Sequence, residues 1–512
     1  MAIDEQHLHS DYSLLHGKQT LEQIVEYAKS NKIAVTLTEH GNMASTFRMY
    51  NLCKQNNVKC NIGCEFYFTP TLEEKGYTHL ILIAKNQTGY QNLLKLQYYA
   101  FMKGFYYKPR IDLDMLNECK EGLICLSACI GGIIPKMLLN NSEKEAIHWI
   151  DIFSNMFKED FYLELQPHVL EEQEKTNKFL YEISVHKNIK LIVTSDAHYT
   201  SSDERDIHDT ILCIGFNKKK DDPKRARYKT TNAFNTEEKI YSVLRSHGLP
   251  DDAIKQAINN TKEISNKCNV NLECDEVYLP SMSDDDFTTL AKLCNKKYLE
   301  KVKNNVFNVP LEEVKKRVKY ELSVLKEKGF CGYFLIVYDF LNWCTKNGIP
   351  IGLGRGSVGG CEVAFLLDIH RLEPIEHGLL FERFLNPTRM GYPDIDSDID
   401  YERRDEVVEY VRRKYGKENV STVMAEGHLT TANVLRRVMS AYGFESTVIN
   451  TMSTKYIPKD SQSLQYAYEN SQQLKDFLDK NELVKRDCFA LENNIGSWGM
   501  HAAGEIISSK PI

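Results

Sequence analysis

Residues 352–360, Gly-Leu-Gly-Arg-Gly-Ser-Val-Gly-Gly, and residues 393–400, Pro-Asp-Ile-Asp-Ser-Asp-Ile-Asp, form the most informative stretch of the chain. In an extended segment alternate side chains share one face, so one face carries the carboxylates of Asp394, Asp396, Asp398 and Asp400. Because four like charges repel, we expect cations or solvent to compensate them. The glycine-rich turn, which precedes a small and apolar helical pattern, presents backbone amides that suit a phosphate. Together the two segments predict Mg²⁺-dependent nucleotidyl transfer.

The composition is that of an ordinary globular protein with several domains. The chain has 512 residues, of which 42% are hydrophobic and 26% charged, and its formal net charge is −7. Any nucleic-acid contact is therefore expected from local basic patches rather than from the overall charge. The N-terminus has no apolar signal region, and no run approaches ~18 consecutive apolar residues, so we expect a cytoplasmic protein without membrane contacts. The fourteen scattered cysteines predict reduced thiols.

The first ~210 residues alternate short apolar runs with segments of helical spacing, a pattern typical of α/β domains. The predicted strands are residues 33–38, 80–84, 123–126, 161–165 and 190–194. This order favours a parallel sheet wrapped by helices and is compatible with a barrel. Polar residues that follow the strands would then meet at the carboxyl end of the sheet.

The later part of the chain is predicted to be richer in long helices, with a domain boundary near Tyr278. Helices are expected over residues 311–325 and 401–415, the second ended by Gly416, and a strand over residues 420–424. From there to the end the sequence reads as mostly helical. The basic segment Lys218–Lys229 is predicted to be a solvated loop, and a phosphate-contacting patch is the alternative.

Two imidazoles near the N-terminus, those of His7 and His9, lie on one side of an extended segment, where both can bind one metal ion. A surface or core pair is the commoner explanation of such a spacing. Further candidate ligands at other predicted strand ends favour the metal interpretation: His40, Glu65, His79, Cys129, Asp196 and His198. This mixture of side chains suits Zn²⁺, Mn²⁺ or Fe²⁺ rather than Mg²⁺. Several ions in one site would resemble multinuclear phosphoester hydrolases.

Four segments resemble the PHP (polymerase and histidinol phosphatase) domain as it occurs in bacterial DNA polymerase III alpha subunits: residues 7–17, 38–42, 104–112 and 196–198. The resemblance implies that the metal ligands are His7, His9, His40, Glu65, His79, Cys129, Asp196 and His198, with Zn²⁺ or Mn²⁺ bound. One position departs from the family, because His16 stands where an aspartate is usual. An imidazole can still be a ligand there, but it cannot bridge two ions as a carboxylate can. Some relatives use this domain only as structure, so both a hydrolytic and a structural role stay open.

The stretch quoted first resembles the palm of family C replicative polymerases. Four segments carry the resemblance in order: residues 354–357, 380–387, 393–398 and 403–407. It implies a nucleotidyltransferase-type palm in which Asp396 and Asp398 hold catalytic Mg²⁺. The residues facing the incoming triphosphate would be Arg355, Gly356, Ser357 and Arg389. We interpret Asp394 and Asp400 as solvated or outer carboxylates.

The resemblance continues beyond the palm. Residues 427–436 are similar to the start of the family's thumb, although Ala432 stands where a lysine is usual, and residues 500–508 are similar to the segment that returns to the palm. The expected fold is an α/β protein with a PHP (β/α)₇-like barrel, an incomplete α+β palm and a helical thumb. The expected domains are a PHP domain (1–215), a connecting region (216–280), the first part of the palm (281–430), a thumb (431–498) and the start of the palm return (499–512).

The resemblance implies a component of a DNA-directed DNA polymerase that works on primer–template DNA and dNTPs. In the family a third catalytic aspartate, a nearby lysine and the fingers lie beyond the position of Ile512. We therefore expect this chain alone to be inactive as a polymerase and to need a C-terminal polymerase fragment or other replisome subunits. Two alternatives stay open: a PHP-domain metal-dependent phosphoesterase or 3′–5′ exonuclease acting alone, and a non-catalytic DNA-binding or scaffold fragment.

Overall fold

A computed structural model describes residues 1–225, 227–273, 278–386 and 393–512 of the chain. The chain divides into two units. The first unit contains Met1–Glu273 and Glu426–Trp498, and the second contains Cys274–Ala425 and Gly499–Ile512. Within the described ranges, no helix combines the length and the apolar character that crossing a membrane requires.

A mixed sheet forms the centre of the first unit. Its strands are β1 (Glu5–Leu8), β2 (Val35–Leu37), β3 (Cys60–Phe68), β4 (Thr78–Ala84), β5 (Phe105–Tyr106), β6 (Lys108–Ile111), β7 (Leu123–Leu126), β8 (Phe161–Leu165) and β9 (Lys190–Val193). The main path runs β1-β2-β3-β4-β7-β8-β9, and the β5–β6 hairpin joins β3. The expectation of a parallel sheet is wrong for β4, which runs antiparallel to both β3 and β7. The reason is that residues 69–77 connect β3 to β4 as a hairpin, without the crossover helix that a parallel pair needs.

The two ends of this path meet, so the sheet curls into a barrel. A parallel bridge joins Leu8 to Ala197, just beyond β9. The His9 amide donates to the Ala197 carbonyl at 2.8 Å, and the Ala197 amide donates to the His7 carbonyl at 3.3 Å. This closure brings the carboxyl end of β1 beside the segment that follows β9. Both segments were predicted to carry histidine ligands.

Helices cover the barrel outside and fill part of its interior. They are α1 (Leu21–Asn31), α2 (Thr46–Gln55), α3 (Gln87–Met102), α4 (Leu113–Cys119), α5 (Ile133–Leu139), α6 (Glu143–Phe157), α7 (Glu171–Lys187), α8 (Arg205–Phe216), α9 (Glu237–Ser246) and α10 (Asp251–Lys267). Ile264 and Cys268, at the end of α10, pack against alternate residues of the sheet: Ile81, Ile83, Ile124, Leu126 and Ile192. The side-chain amide of Gln6 also donates to the Thr261 carbonyl at 2.9 Å and to Ser265 Oγ at 2.8 Å. Thus α10, which lies in the predicted connecting region, packs into the barrel.

The second unit is mainly helical. Its helices are α11 (Asp286–Lys303), α12 (Leu311–Glu327), α13 (Cys331–Lys346), α14 (Glu362–Leu366) and α15 (Arg404–Tyr415). Their core contains buried residues of the first four helices and of the segment after α14, among them Leu290, Leu325, Phe334, Leu366 and Phe381. The predicted helices appear as α12 and α15, and α15 ends at Gly416, whose φ of +102° favours glycine.

The last part of the chain returns to the first unit and then to the second. Its elements are β10 (Val420–His428), α16 (Thr431–Ala441), α17 (Ser446–Asn450), α18 (Leu464–Asn470), α19 (Gln472–Lys480), α20 (Glu482–Leu491) and β11 (Ile495–Ile507). Helices α16 and α20 share an apolar core with Ile207 and Ile211 of α8. The expectation of helix to the end of the chain is wrong for β11, which pairs with β10. Its glycines and alanines hide the two-residue alternation that identifies a strand.

The basic segment 218–229 contributes to the fold of the first unit. The Arg225 guanidinium contacts both Asp209 carboxylate oxygens at 2.6 Å, and the Lys220 ammonium donates to Thr210 Oγ1 at 2.8 Å. These two cations are therefore engaged in intramolecular contacts, which the prediction of a solvated loop did not anticipate.

Candidate functional site

The carboxyl end of the barrel brings most of the predicted metal ligands together. Three groups have ligand atoms that lie within 4.8 Å of one another: His9, His40 and His198; His7, His9 and Glu65; and Glu65, His79 and Cys129. Because His9 and Glu65 each belong to two groups, the groups are continuous. This arrangement offers positions for more than one ion. We refer to these seven residues and Asp196 as the barrel cluster.

The direction of each strand explains why these residues meet. His7 and His9 lie at the end of β1, and Cys129, Asp196 and His198 follow later strands. His79 stands instead near the beginning of β4. Because β4 runs antiparallel to its neighbours, its beginning lies at their carboxyl ends. In the register of the sheet Glu65 is opposite Ile81, which places its carboxylate on the inward face.

Asp196 approaches the cluster from the segment after β9. Its Oδ1 lies 3.3 Å from His7 Nε2 and 3.4 Å from His9 Nε2. Its Oδ2 accepts a hydrogen bond from the side-chain amide of Asn232 at 3.3 Å. The backbone of Asp196 has a φ of +49°, a left-handed conformation that is uncommon for residues other than glycine. Backbone strain of this kind is concentrated at functional sites.

The cluster contains buried polar atoms without hydrogen-bond partners in the described structure: Nε2 of His7, His9, His40 and His198, and both carboxylate oxygens of Glu65. Leaving such groups unsatisfied costs about 1–3 kcal/mol each. A divalent cation would satisfy several of them at once. The donor set of imidazole, carboxylate and thiol therefore fits a transition-metal ion better than it fits an apolar or purely structural core.

The other ring nitrogens of the histidines are held by neighbouring groups. His7 Nδ1 donates to Glu164 Oε1 at 2.7 Å, His9 Nδ1 to Ser13 Oγ at 2.9 Å, and His198 Nδ1 to the Asp196 carbonyl at 2.9 Å. In each case the hydrogen bond at Nδ1 leaves Nε2 as the nitrogen facing the cluster, as in metal-binding histidines. Glu164 was not among the residues predicted from the sequence. Its signal was a carboxylate inside the buried, otherwise apolar strand Phe161–Leu165.

Burial and the neighbouring charges shift the pKa values of the cluster residues in different directions. Burial alone would lower the pKa of His7, but the Glu164 and Asp196 carboxylates hold it well above its ordinary value. Burial and the neighbouring imidazoles hold the pKa of His9 and of His198 well below the ordinary value. Burial would raise the pKa of Glu65, but His79 and His40 hold it well below its usual range. The neutral imidazoles of His9 and His198 and the ionised carboxylate of Glu65 are in the protonation states that metal binding requires, whereas His7 would release a proton on binding an ion.

His16 lies outside the three groups. Its ring is 5.2 Å from that of His40 and 5.5 Å from that of Phe216, centroid to centroid, in edge contacts. Burial, followed by the charge of His40, lowers the pKa of His16 to about 3. The residue that departs from the family pattern is therefore a neutral neighbour of the cluster.

A second candidate site lies in the second unit, around Arg355. The Arg355 guanidinium lies 3.6 Å from Asp396 Oδ1 and 3.7 Å from Asp398 Oδ1, and all three side chains are substantially exposed. A backbone bond from the Gly352 amide to the Asp398 carbonyl, at 2.9 Å, ties the glycine-rich turn to the aspartate segment. An antiparallel bridge between Ile351 and Ile399 does the same. The structure thus brings two predicted carboxylates and one predicted phosphate ligand together.

Glycine is required at the centre of the turn. Gly354 has a φ of +90°, and a Cβ on it would lie 2.3 Å from the Cβ of His370. Gly356 has a φ of +78° and lies next to Asp396, because a Cβ there would be 3.5 Å from Asp396 Oδ2. Ser357, which begins the following helical turn, is exposed beside them. Arg389 lies outside the described residues.

The two flanking aspartates differ from the central pair. Asp400 accepts a hydrogen bond from the Glu402 amide at 2.9 Å and caps the turn that leads into α15. Asp394 is exposed, and the structure shows it in no contact with Arg355 among the described residues. The interpretation of both as outer carboxylates stays a prediction.

The sequence comparisons match two families. Residues 5–168 match the PHP domain, and residues 288–512 match the family described as the bacterial DNA polymerase III alpha NTPase domain. Proteins described as DNA polymerase III subunit alpha are similar along the chain. The one from Treponema pallidum is 35% identical over 525 residues and that from Borreliella burgdorferi is 37% identical over 533 residues.

The alignments cover 100% and 99% of this chain but 44% and 45% of those two proteins. The chain therefore spans about half the length of the curated relatives it matches. Among solved structures, an amidohydrolase from Chromobacterium violaceum covers 38% of this chain and 88% of its own, with 12% identity. Its TM-score is 0.26.

Proposed function

Because this chain belongs to the bacterial DNA polymerase III alpha family and matches an N-terminal half of its members, we propose that it is part of a replicative DNA polymerase. Its reaction would be the transfer of dNMP to a primer 3′-hydroxyl, with primer–template DNA and dNTPs as substrates and replisome proteins as partners. The observation that supports this most is the position of Arg355 within 3.7 Å of both Asp396 and Asp398.

In this proposal each group of the second site has a separate task. Asp396 and Asp398 would hold the catalytic Mg²⁺ ions, and Arg355 would bind the triphosphate of the incoming nucleotide. Gly356 and Ser357 present backbone amides to the phosphates, and Arg389 adds a further positive charge. Bound Mg²⁺ lowers the cost of deprotonating the primer hydroxyl and stabilises the leaving pyrophosphate. Arg355 meanwhile keeps the two carboxylates from repelling each other before the metal binds.

We also propose that these 512 residues alone do not extend a primer. They provide two exposed carboxylates at the second site and span about half the length of the relatives. The activity would need the remaining half that the relatives carry, in the same polypeptide or in a partner. A site with fewer carboxylates binds Mg²⁺ more weakly.

The experiment joins this chain to the remaining segment of a relative and measures primer extension. Arg355→Ala is expected to raise the KM for dNTP, because it removes a phosphate contact, and to lower kcat as well. Lys346→Ala, at the end of α13 in the same unit, serves as the matched control for the loss of a positive charge. Unchanged kinetics for Arg355→Ala would show that this guanidinium does not face the nucleotide.

A second candidate function, hydrolysis of phosphoesters at the barrel cluster, is supported by its unpartnered buried nitrogens and oxygens. We propose Zn²⁺ or Mn²⁺ as the ion, held by His7, His9, His40, Glu65, His79, Cys129, Asp196 and His198. A bound ion of this kind activates water and neutralises phosphate charge. Glu164 and Ser13 would keep the imidazoles of His7 and His9 oriented.

His7→Ala tests this second function, with the exposed His148→Ala as control. The metal content of the purified chain and the release of nucleotides from a 3′-labelled single strand are measured. Loss of both in His7→Ala alone supports a hydrolase. A chain with no transition metal and no nuclease activity would contradict it, and salt-dependent DNA binding without turnover would then favour the scaffold alternative.

A further inference from the structure

Outside both candidate sites, the end of α3 and the β5–β6 hairpin expose a group of aromatic side chains. Phe101 is 50% exposed, Phe105 60%, Tyr106 39% and Tyr107 82%. The ring centroids of Phe101 and Phe105 are 6.3 Å apart, and those of Tyr106 and Tyr107 are 4.8 Å apart. We refer to these four residues as the aromatic platform. A monomeric protein rarely leaves such a group open to water without a use for it.

The hairpin that carries the platform is firmly held. The guanidinium of the buried Arg110 donates to the carbonyls of Leu72, Glu74 and Gly104 at 3.2, 2.6 and 3.2 Å. Gly104 packs so closely that a Cβ on it would lie 1.8 Å from the Arg110 carbonyl oxygen. The platform is therefore presented by a fixed backbone, which lowers the entropy lost when a ligand binds.

Neither packing nor the backbone preference of tyrosine explains why a tyrosine stands at position 107. It forms the tip of the hairpin, between the paired residues Tyr106 and Lys108. Its φ of +58° is a conformation that disfavours bulky side chains, and glycine or asparagine would occupy it with less strain. Its ring gains almost no burial. A large aromatic residue in a strained and exposed position points to contact with a ligand.

Two lysines beside the rings supply positive charge. The Lys103 ammonium lies 4.1 Å from the centroid of Tyr99, and that of Lys108 lies 5.2 Å from the centroid of Tyr67. Within the part of the chain that the structure describes, neither forms an ion pair with a carboxylate. Aromatic faces interleaved with cations are features by which proteins bind unpaired nucleic acid: bases stack on the rings and phosphates meet the cations.

We propose that the aromatic platform binds a single-stranded nucleic acid, with bases stacked on Phe105 and Tyr107 and phosphates beside Lys103 and Lys108. The platform adjoins the barrel cluster through Tyr67. The ring of Tyr67 lies 5.8 Å from that of His79 and 6.4 Å from that of His40. The binding itself does not depend on either proposed activity, since it uses none of their residues.

The test measures binding of a short fluorescein-labelled oligothymidylate to the full 512-residue chain by fluorescence anisotropy. The double variant Phe105→Ala/Tyr107→Asn removes two rings, and asparagine tolerates the left-handed backbone at the tip. We expect about tenfold or greater weakening of binding, because each stacked base contributes substantially to affinity. Phe47→Ala, at an aromatic residue of α2 that is 62% exposed, is the matched control and is expected to bind like the parent.

Two further measurements keep the result decisive if the double variant is less stable. Ultraviolet cross-linking of the parent chain is expected to attach thymine to Tyr107, and Tyr107→Phe, which keeps the aromatic ring, is expected to leave the anisotropy result unchanged. Three results would overturn the proposal: no binding by the parent chain, equal binding by parent and double variant, or equal loss of single-stranded and duplex binding. Concentration-dependent self-association that the double variant abolishes would also overturn it, since the occupant would then be a second copy of the chain.

Discussion

At the scale of single residues, the barrel cluster depends on groups that are not themselves ligands. Glu164 holds the His7 ring through Nδ1 at 2.7 Å and is fully buried, so it sets which nitrogen faces the cluster. Outer carboxylates of this kind orient a metal-bound imidazole and increase its basicity. Glu164 is therefore expected to contribute to metal affinity although it is not itself a ligand.

Glu164→Gln is expected to weaken metal binding at the barrel cluster by about 10–100-fold, because the amide is a weaker acceptor for His7 Nδ1. Competition with a chromophoric chelator measures the affinity without any assay of activity. Glu118→Gln, at an exposed carboxylate on α4, is the control and is expected to leave the affinity unchanged. An unaltered affinity in Glu164→Gln would show that Glu164 does not support metal binding through His7.

The buried carboxyl of Glu362, which follows the glycine-rich turn in the chain, is expected to make the stability of the fold depend on pH. Burial, followed by a hydrogen bond with Glu373, raises the pKa of Glu362 from its ordinary value of 4.5 to about 9. The folded state therefore holds this proton more tightly than the unfolded state. The stability it contributes is complete below the unfolded pKa and is lost as the pH rises toward 9.

Glu362→Gln is accordingly expected to be more stable than the parent at pH 8 and similar to it at pH 5. The difference should grow by up to about 1.4 kcal/mol per pH unit between these values. Thermal unfolding at both pH values measures this difference in stability. Glu327→Gln, at an exposed position of α12, is the control. A parent chain that gains stability from pH 5 to pH 8 relative to Glu362→Gln would contradict the assignment.

At the scale of elements, the glycine-rich turn depends on a backbone that only glycine adopts easily. Gly354→Ala places a Cβ against His370, which is buried and fixed by a 2.9 Å bond from its Nε2 to the Cys361 carbonyl. We expect a loss of about 2–4 kcal/mol in the free energy of unfolding. Gly348→Ala, where φ is +65° and no atom lies within 4 Å of the added Cβ, should cost only about 1 kcal/mol. Equal losses in chemical denaturation would show that the close approach to His370 is not what requires glycine.

The sequence predicts where strands and helices lie in the chain better than it predicts how they pair and pack. The five predicted strands of the first ~210 residues all appear in the sheet, because buried apolar runs bounded by polar residues are a local signal. The direction of β4 was missed, since it depends on which strands pair, and that is decided by packing. The place of α10 inside the barrel was missed for the same reason: its amphipathic pattern shows a buried face but not what buries it.

At the scale of the whole molecule, the chain holds two candidate sites of different chemistry in different units. Imidazoles, a thiol and carboxylates form the cluster in the first unit, and carboxylates with an arginine form the site in the second. Spacing and residue type indicated both sites in the sequence. They did not reveal partners that orient the ligands, such as Glu164 and Asn232, because these contacts join positions far apart in the chain.

The central claim is that Asp396 and Asp398 serve catalysis whereas Asp400 serves the fold. The most direct measurement is the rate of single-nucleotide incorporation by this chain joined to the remaining segment of a relative, with Asp398→Asn and Asp400→Asn compared at saturating dNTP. We expect Asp398→Asn to lower the rate by at least about 10³-fold, since it removes a proposed metal ligand. Asp400→Asn should stay within about threefold of the parent, because asparagine also caps a helix. Similar rates for the two variants would contradict the account.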